Sequence, residues 1–200
     1  MYMFDIETTG KQSTSAILSF ACIHFDADEE LTHEELRKRA FFVKLDAKDQ
    51  IKRLKRSITK SSLEWWAKQC ENAKKKSLYP SNNDVKLEDG LEMFRQWAKQ
   101  FDDYNKSWVW ARGNLDQLVL DSVEEQLQIQ PILTYNRWRD VRTAIDFLYN
   151  VDSGYIEVET PPWMEKFDPA LHITKHDPVD DCIYDIMMLK YGKKHEDTDE

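Results

Sequence analysis

Tyr2–Gly10, YMFDIETTG, is the stretch on which the fold turns. It opens as a short apolar run, carries acids at Asp5 and Glu7, and closes in Thr8-Thr9-Gly10, a turn signal. Residues two apart on a strand project to the same face. Read as a core strand, the run therefore sets the Asp5 and Glu7 carboxylates side by side. Burying both unpaired is very costly. A hard divalent cation removes that cost, because Mg²⁺ and Mn²⁺ prefer oxygen ligands. The plain alternative is an acidic strand end exposed at a turn.

Further strands lie just downstream. Ala16–Phe25 (AILSFACIHF) and Ala40–Leu45 (AFFVKL) read as a second and third strand. Their close succession predicts an antiparallel meander. A helix capped by Ser61 or Ser62 is expected to run to about Lys76, with Leu63, Trp66, Ala67 and Cys70 at helical spacing. Asp84–Phe101 carries one apolar stripe through Leu87, Leu91, Phe94, Trp97, Ala98 and Phe101. Ser107–Ala111 reads as a strand broken by Arg112-Gly113. Asn114–Leu127 follows as a helix with Leu115, Leu118, Val119, Ser122 and Val123 on one side. Thr134–Trp138 reads as a strand, Thr143–Tyr149 as a short helix, and 150–175 as loop. The last helix starts at Asp177-Pro178, a good cap followed by a residue suited to the first helical position, and stops at Gly192. This order predicts an α/β domain over residues 1–192. Its mixed sheet has three antiparallel strands and then parallel strands, flanked by helices, as in the ribonuclease-H-like fold. Residues 193–200 read as an acidic disordered tail.

Composition narrows the function classes. Hydrophobic residues make up 41%, with seven Trp, eight Tyr and nine Phe, enough for a packed core and against wholesale disorder. No run approaches the roughly 20 apolar residues of a membrane span. The N-terminal residues lack the charged and apolar regions of a secretory signal, so no membrane partner and a cytoplasmic location are expected. Cys22, Cys70 and Cys182 read as reduced, mostly buried thiols. The net charge of −9 argues against a general nucleic-acid coat protein, which needs phosphate-neutralising surface. It does not argue against an enzyme that grips a few nucleotides, because carboxylate-bound cations supply positive charge at the phosphate. The basic runs Lys48–Lys60 and Lys74–Lys76 read either as solvated faces or as an approach for a substrate strand.

Three other residues fit beside Asp5 and Glu7. Asp116 falls in the first turn of a helix that follows a strand, where the macrodipole alone would favour an acid. His176 and Asp181 are five apart. On one helix that spacing separates them by about 140°, but His176 precedes the cap and its ring can fold back over the first turn. Asp180 is the rival of Asp181, about 100° away round the helix.

The segments FDIETTG (Phe4–Gly10), WARGNLDQLVLD (Trp110–Asp121) and HDPVDDCIYDIMMLKY (His176–Tyr191) resemble the three motifs of the DEDDh 3′→5′ exonuclease superfamily, in order. TKSSLEWWAKQ (Thr59–Gln69) and RDVRTAI (Arg139–Ile145) extend the resemblance toward the exonuclease A group of T-even bacteriophages and the mycobacterial-type 3′→5′ exoribonucleases. Residues 150–175 take no part in it. The DEDDh spacing selects Asp181 over Asp180.

The resemblance implies two divalent cations, Mg²⁺ or Mn²⁺, held by Asp5, Glu7, Asp116 and Asp181, with His176 as general base. It implies single-stranded DNA or RNA 3′ ends as partners, a nucleoside 5′-monophosphate as product and, for a phage enzyme, the host cytoplasm as location. Thr8 and Thr9 are candidates to offer backbone N–H groups to the terminal nucleotide. Trp65 is a candidate base platform, with Trp66 in the core. Arg112 reads as a phosphate contact or as the brace of a structural carboxylate. Asp140 reads as a helix cap and Asp185 as a group supporting Asp181. DNA is favoured over RNA as substrate, and a polymerase-docking subunit is the reading from another class. Nothing in the sequence names a protein partner.

Overall fold

The computed structural model describes residues 1–104 and 106–193. Its organising element is strand β1 (Tyr2–Thr8), which sends alternate side chains into two different cores. Tyr2, Phe4 and Ile6 enter one, and Met3 enters the other. Strand β2 (Ile17–His24) pairs antiparallel with β1, setting Asp5 opposite Ala21 and Glu7 opposite Ser19. Helix α1 (His33–Arg39) leads to β3 (Phe41–Lys44), antiparallel to β2. Then come α2 (Ala47–Arg53), α3 (Lys60–Trp66), the single turn α4 (Glu71–Ala73) with its π-helical continuation Lys74–Leu78, and α5 (Leu87–Ala98). Strand β4 (Val109–Ala111) lies parallel to β1, and after α6 (Leu115–Leu127) strand β5 (Trp138–Asp140) lies parallel to β4. Helices α7 (Val141–Tyr149), α8 (Pro169–His172) and α9 (Pro178–Tyr191) complete the chain.

The sheet order β3-β2-β1-β4-β5 makes β1 central, and the mixed five-stranded sheet between helices is ribonuclease-H-like, as expected. One face packs on α5 and α6 through Leu91, Phe94, Val119 and Val123. The other packs on α1, α7 and α9 through Leu36, Ile145, Ile183 and Ile186. Asp5 and Glu7 share the parity of Met3, so they rise on the α9 side. Among the described residues, no helix is long and apolar enough to cross a membrane.

Several expected elements differ, for local reasons. Helix α1 interrupts the meander between β2 and β3. It has no long apolar stripe; Thr32 and Glu35 close a capping box and only His33 and Leu36 are buried. Helix α2 occupies the first part of the basic run. It is capped by Asp46 and anchored by Gln50, whose buried amide accepts from Ile17 N at 2.9 Å and donates to Ile17 O at 2.7 Å. Two of that run's cations are structural: Arg53 pairs with Asp49 and Glu88, and buried Arg56 donates to the Ser13 and Ser15 carbonyls. The long helix from Ser61 or Ser62 does not exist. Thr59 is the cap, accepting from Ser62 N, and the helix ends at Trp66. Leu63 and Cys70 are exposed, so their helical spacing is not a core stripe. Cys22 and Cys182 are buried, and all three thiols are free.

Helix α6 is rolled so that Leu118 faces solvent, with Val119, Leu120 and Val123 inside. The strand expected at Thr134–Trp138 is displaced. Tyr135–Arg137 forms a 3₁₀ turn and pairing starts at Trp138. Of the tail expected to be disordered, Lys193 donates its backbone N–H to Glu157 O at 2.8 Å, and 194–200 lie outside the described residues.

Trp66 is the one buried anchor of α3, and its indole Nε1 donates to Thr8 O at 3.0 Å. Trp66→Ala is expected to destabilise the protein by about 3–5 kcal/mol, the range for deleting a fully buried aromatic. Urea unfolding of the two proteins measures the difference; a change under about 1 kcal/mol would show that α3 is not anchored there.

Candidate active site

The site grows from the β1 face that meets α9. Asp5 stands opposite Ala21 and close to Cys182, whose thiol lies 3.6 Å from Met3 O. Helix α9 begins with Asp177 accepting from Val179 N at 3.0 Å and Pro178 at the first position, as read from the sequence. His176 sits just before this cap in a left-handed conformation, φ 67°. Its backbone N–H donates to Asp181 Oδ2 at 3.0 Å. That turn folds the imidazole back over the helix start, so Nδ1 lies 3.9 Å from Glu7 Oε1. One donor atom each from Glu7, His176 and Asp181 fall within 4.8 Å of one another.

Asp116 arrives from the other direction. It sits in the first turn of α6, behind β4, the parallel neighbour of β1. The turn between them uses Gly113 at φ 79°, which donates to Asp140 Oδ1 at 2.9 Å. Asp140 also caps α7, accepting from the Arg142 and Thr143 backbone.

These acids are poorly neutralised. Asp5 Oδ2 and Asp116 Oδ2 are buried without a hydrogen-bond partner among the described residues. Burial, then the neighbouring charges of Asp116 and Asp185, holds the Asp5 carboxyl well above the usual range. Burial, followed by Asp5 and Asp181, does the same to Glu7. Burial and Asp185 push Asp116 up to about 8. Asp181 is raised by burial, Asp5 and Asp185, against the opposing His176 N–H. Burial and Lys175 lower His176. An orphaned pair of buried carboxylate oxygens beside an O/O/N cluster fits hard divalent cations, which take oxygen donors and cancel the repulsion. Asp5, Glu7, Asp116 and Asp181 are the carboxylates that could hold them.

The remaining expected residues divide. Asp180 is taken away from the site by Arg37 and by Thr174 N, which donates to its Oδ2 at 2.8 Å. Thr9 is a correction: its backbone N–H is spent on Ala16 O at 2.9 Å, its hydroxyl donates to Ser57 O, and it is buried. The Thr8 hydroxyl donates to Gly10 O and its carbonyl accepts from Trp66. Trp65 is half-exposed, with its ring edge-on to the His176 ring at 4.6 Å. Arg112 is not free for a phosphate. Its Nε and Nη2 donate to Asp185, and its Nη1 to Gly154 O at 2.9 Å. It is the brace of a carboxylate one turn below Asp181. Sequence reasoning missed Tyr155, whose ring centre lies 4.1 Å from the Arg112 guanidinium carbon. It sits in a loop with neither periodicity nor motif.

A carboxyl whose folded pKa is raised gives its full contribution to stability below the unfolded pKa and loses it as pH rises through the folded value. For Asp116 the window runs from about pH 4 to about pH 8. In chelator, Asp116→Asn is expected to melt above the wild type, the gap widening across that window and closing when Mg²⁺ or Mn²⁺ is added. Thermal scans at several pH values check this; an unchanged or lower melting temperature for the variant would show that Asp116 is not a strained carboxylate.

The family described as the 3′-5′ exoribonuclease Rv2179c-like domain matches residues 1–192. A protein of Enterobacteria phage T4 named exodeoxyribonuclease is 30% identical over 213 residues, covering 97% of this chain and 89% of the phage protein. The chain belongs to the 3′-5′ exoribonuclease Rv2179c-like domain family and is a 3′→5′ exonuclease of the DEDDh type.

Proposed function

We propose that the chain shortens single-stranded DNA from its 3′ end, releasing 5′-mononucleotides by a two-cation hydrolysis with His176 as general base. The observation that carries this reading is the convergence of Glu7, His176 and Asp181 beside the unpartnered oxygens of Asp5 and Asp116. Asp5, Glu7, Asp116 and Asp181 would hold two divalent cations, which would supply charge stabilisation for the entering and leaving oxygens of an in-line displacement.

The protein's own groups do the rest. Nδ1 of His176 is the ring nitrogen near the carboxylates, and its lowered pKa keeps it unprotonated at neutral pH, the form that accepts a proton from water. Glu7 Oε1 beside it stabilises the imidazolium that results. The Asp181 carboxylate, by accepting the His176 N–H, holds the backbone turn that aims the ring. Trp65, edge-on to that ring and half-exposed, offers a face to the terminal base.

DNA is preferred as substrate because the phage relative that spans nearly all of the chain carries an exodeoxyribonuclease name. RNA is the second reading, favoured by the name of the matching family. A non-catalytic polymerase-docking subunit would not need five site residues in place.

A time course on two 5′-labelled single strands of one sequence, DNA and RNA, with Mg²⁺ or Mn²⁺ and with chelator, tests the reading. The expected result is stepwise, metal-dependent shortening that is absent in Asp5→Ala and faster on DNA. Inertness of folded, metal-supplied protein on both strands would favour the docking subunit. His176→Ala is expected to lower turnover by about 100- to 10,000-fold while leaving the concentration of Mn²⁺ needed for half-maximal thermal stabilisation unchanged. Wild-type turnover from that variant would remove His176 from the mechanism.

A further inference from the structure

The loop after α7 is fastened to the active site. Asn150 closes the helix in a left-handed conformation, φ 51°. Gly154, φ 67°, donates its N–H to Asp146 Oδ1 at 2.7 Å, and a Cβ there would lie 2.7 Å from Arg142 Cγ. The Ser153 hydroxyl bonds both the N–H and the carbonyl of Tyr155. Arg112 ties this turn to the site by donating to Gly154 O and Asp185 while its guanidinium lies against the Tyr155 ring. Tyr155 is therefore positioned from both sides, yet 49% of its surface is open to solvent.

Its place along α9 is informative. Trp65 stands at the His176 end of the site, before the helix begins. Asp185, which Arg112 grips, lies one turn beyond Asp181, about 6 Å further along the axis. Along that axis Tyr155 therefore belongs to the Asp185 end of the carboxylate group and Trp65 to the His176 end. Two cations beside the carboxylates are already committed, Arg112 to Asp185 and Lys76 to Asp177 at 3.6 Å. Aromatic faces bind bases without needing charge and irrespective of base identity.

Resting on the exonuclease reading above, we propose that Tyr155 is a nucleobase platform for the nucleotide on the 5′ side of the scissile bond, held in place by Arg112, with the terminal base on the Trp65 side. A strand crossing the carboxylates then places consecutive bases on two aromatic surfaces and brings the phosphate between them to the site. The same platform serves DNA and RNA, because stacking does not read the sugar.

The test is the rate of the first cleavage, at varied strand concentration, on three labelled strands: fully base-bearing, abasic at the 3′-terminal position, and abasic at the penultimate position. Tyr155→Ala and Tyr155→Leu are expected to raise KM by roughly 5- to 100-fold on the first two and to leave it unchanged on the third. Tyr155→Phe, which keeps the ring, is expected to behave as wild type on all three. Anisotropy binding of the same strands in chelator repeats the comparison without catalysis, so an inactive wild type would count against the exonuclease reading and not against the platform. Equal losses on all three strands would show that Tyr155 acts only by supporting Arg112. No loss on any strand, or a loss abolished by the terminal abasic site instead, would equally overturn the assignment.

Discussion

Repulsion between carboxylates gathered on one face of the central strand is the constraint round which this protein is arranged. Asp5 and Glu7 sit on β1, which is covered by helices on both sides, so water cannot screen them as it would at a sheet edge. Asp116, Asp181 and Asp185 add charge from α6 and α9. The fold answers this repulsion only in part. Arg112 neutralises Asp185, and the His176 backbone N–H serves Asp181. Asp5 and Asp116 each keep a buried oxygen without a partner among the described residues. A site left short of positive charge is strained by its own repulsion, which a bound cation would relieve.

The two cores on either side of the sheet support this arrangement differently. On one, Phe4, Phe20, Phe41 and Phe94 form a close aromatic cluster, with ring centres 5.5–5.7 Å apart, and carry no site residue. That face anchors β1 through Phe4. On the other, the apolar side of α9, through Val179, Cys182, Ile183 and Ile186, presses against Met3, Ala21 and Ile23 and so brings Asp181 to Asp5. The positions of the charges are therefore set by apolar packing, which is strong enough to oppose their mutual repulsion. Trp66 has a similar indirect part. It is buried and bonded to the Thr8 carbonyl, and it holds the short helix on which Trp65 meets His176.

Much of this was legible in the linear chain. The alternation in YMFDIET implied a strand with both acids on one face, because side-chain parity along a strand is fixed by covalent geometry. Asp177-Pro178 marked the start of α9 to the residue, because capping is a local hydrogen-bond requirement. Placing His176 before that cap implied a ring folded over the helix start, and the left-handed backbone provides it. The mixed sheet, antiparallel strands followed by parallel ones, was read from the sequence of elements and from resemblance.

The tertiary structure decided everything that depends on which charges meet. Asp180 and Asp181 are neighbours of identical chemistry, and Arg37 on α1 together with the Thr174 N–H removes Asp180 from the site. Arg112 was read equally as a phosphate contact or as a brace until Asp185 came within reach of it. Thr9 looked available until the Ala16 carbonyl took its N–H, and Tyr155 had no signal until Arg112 lay against it. Helices α1 and α2 were invisible because caps and one or two buried contacts hold them, not a periodic stripe. Periodicity and capping act within a few residues and are written in the chain. The partner of an ion or a buried donor is chosen among segments that become neighbours only on folding, so the sequence by itself determined the fold and the carboxylates, and packing decided which of them stayed unpaired.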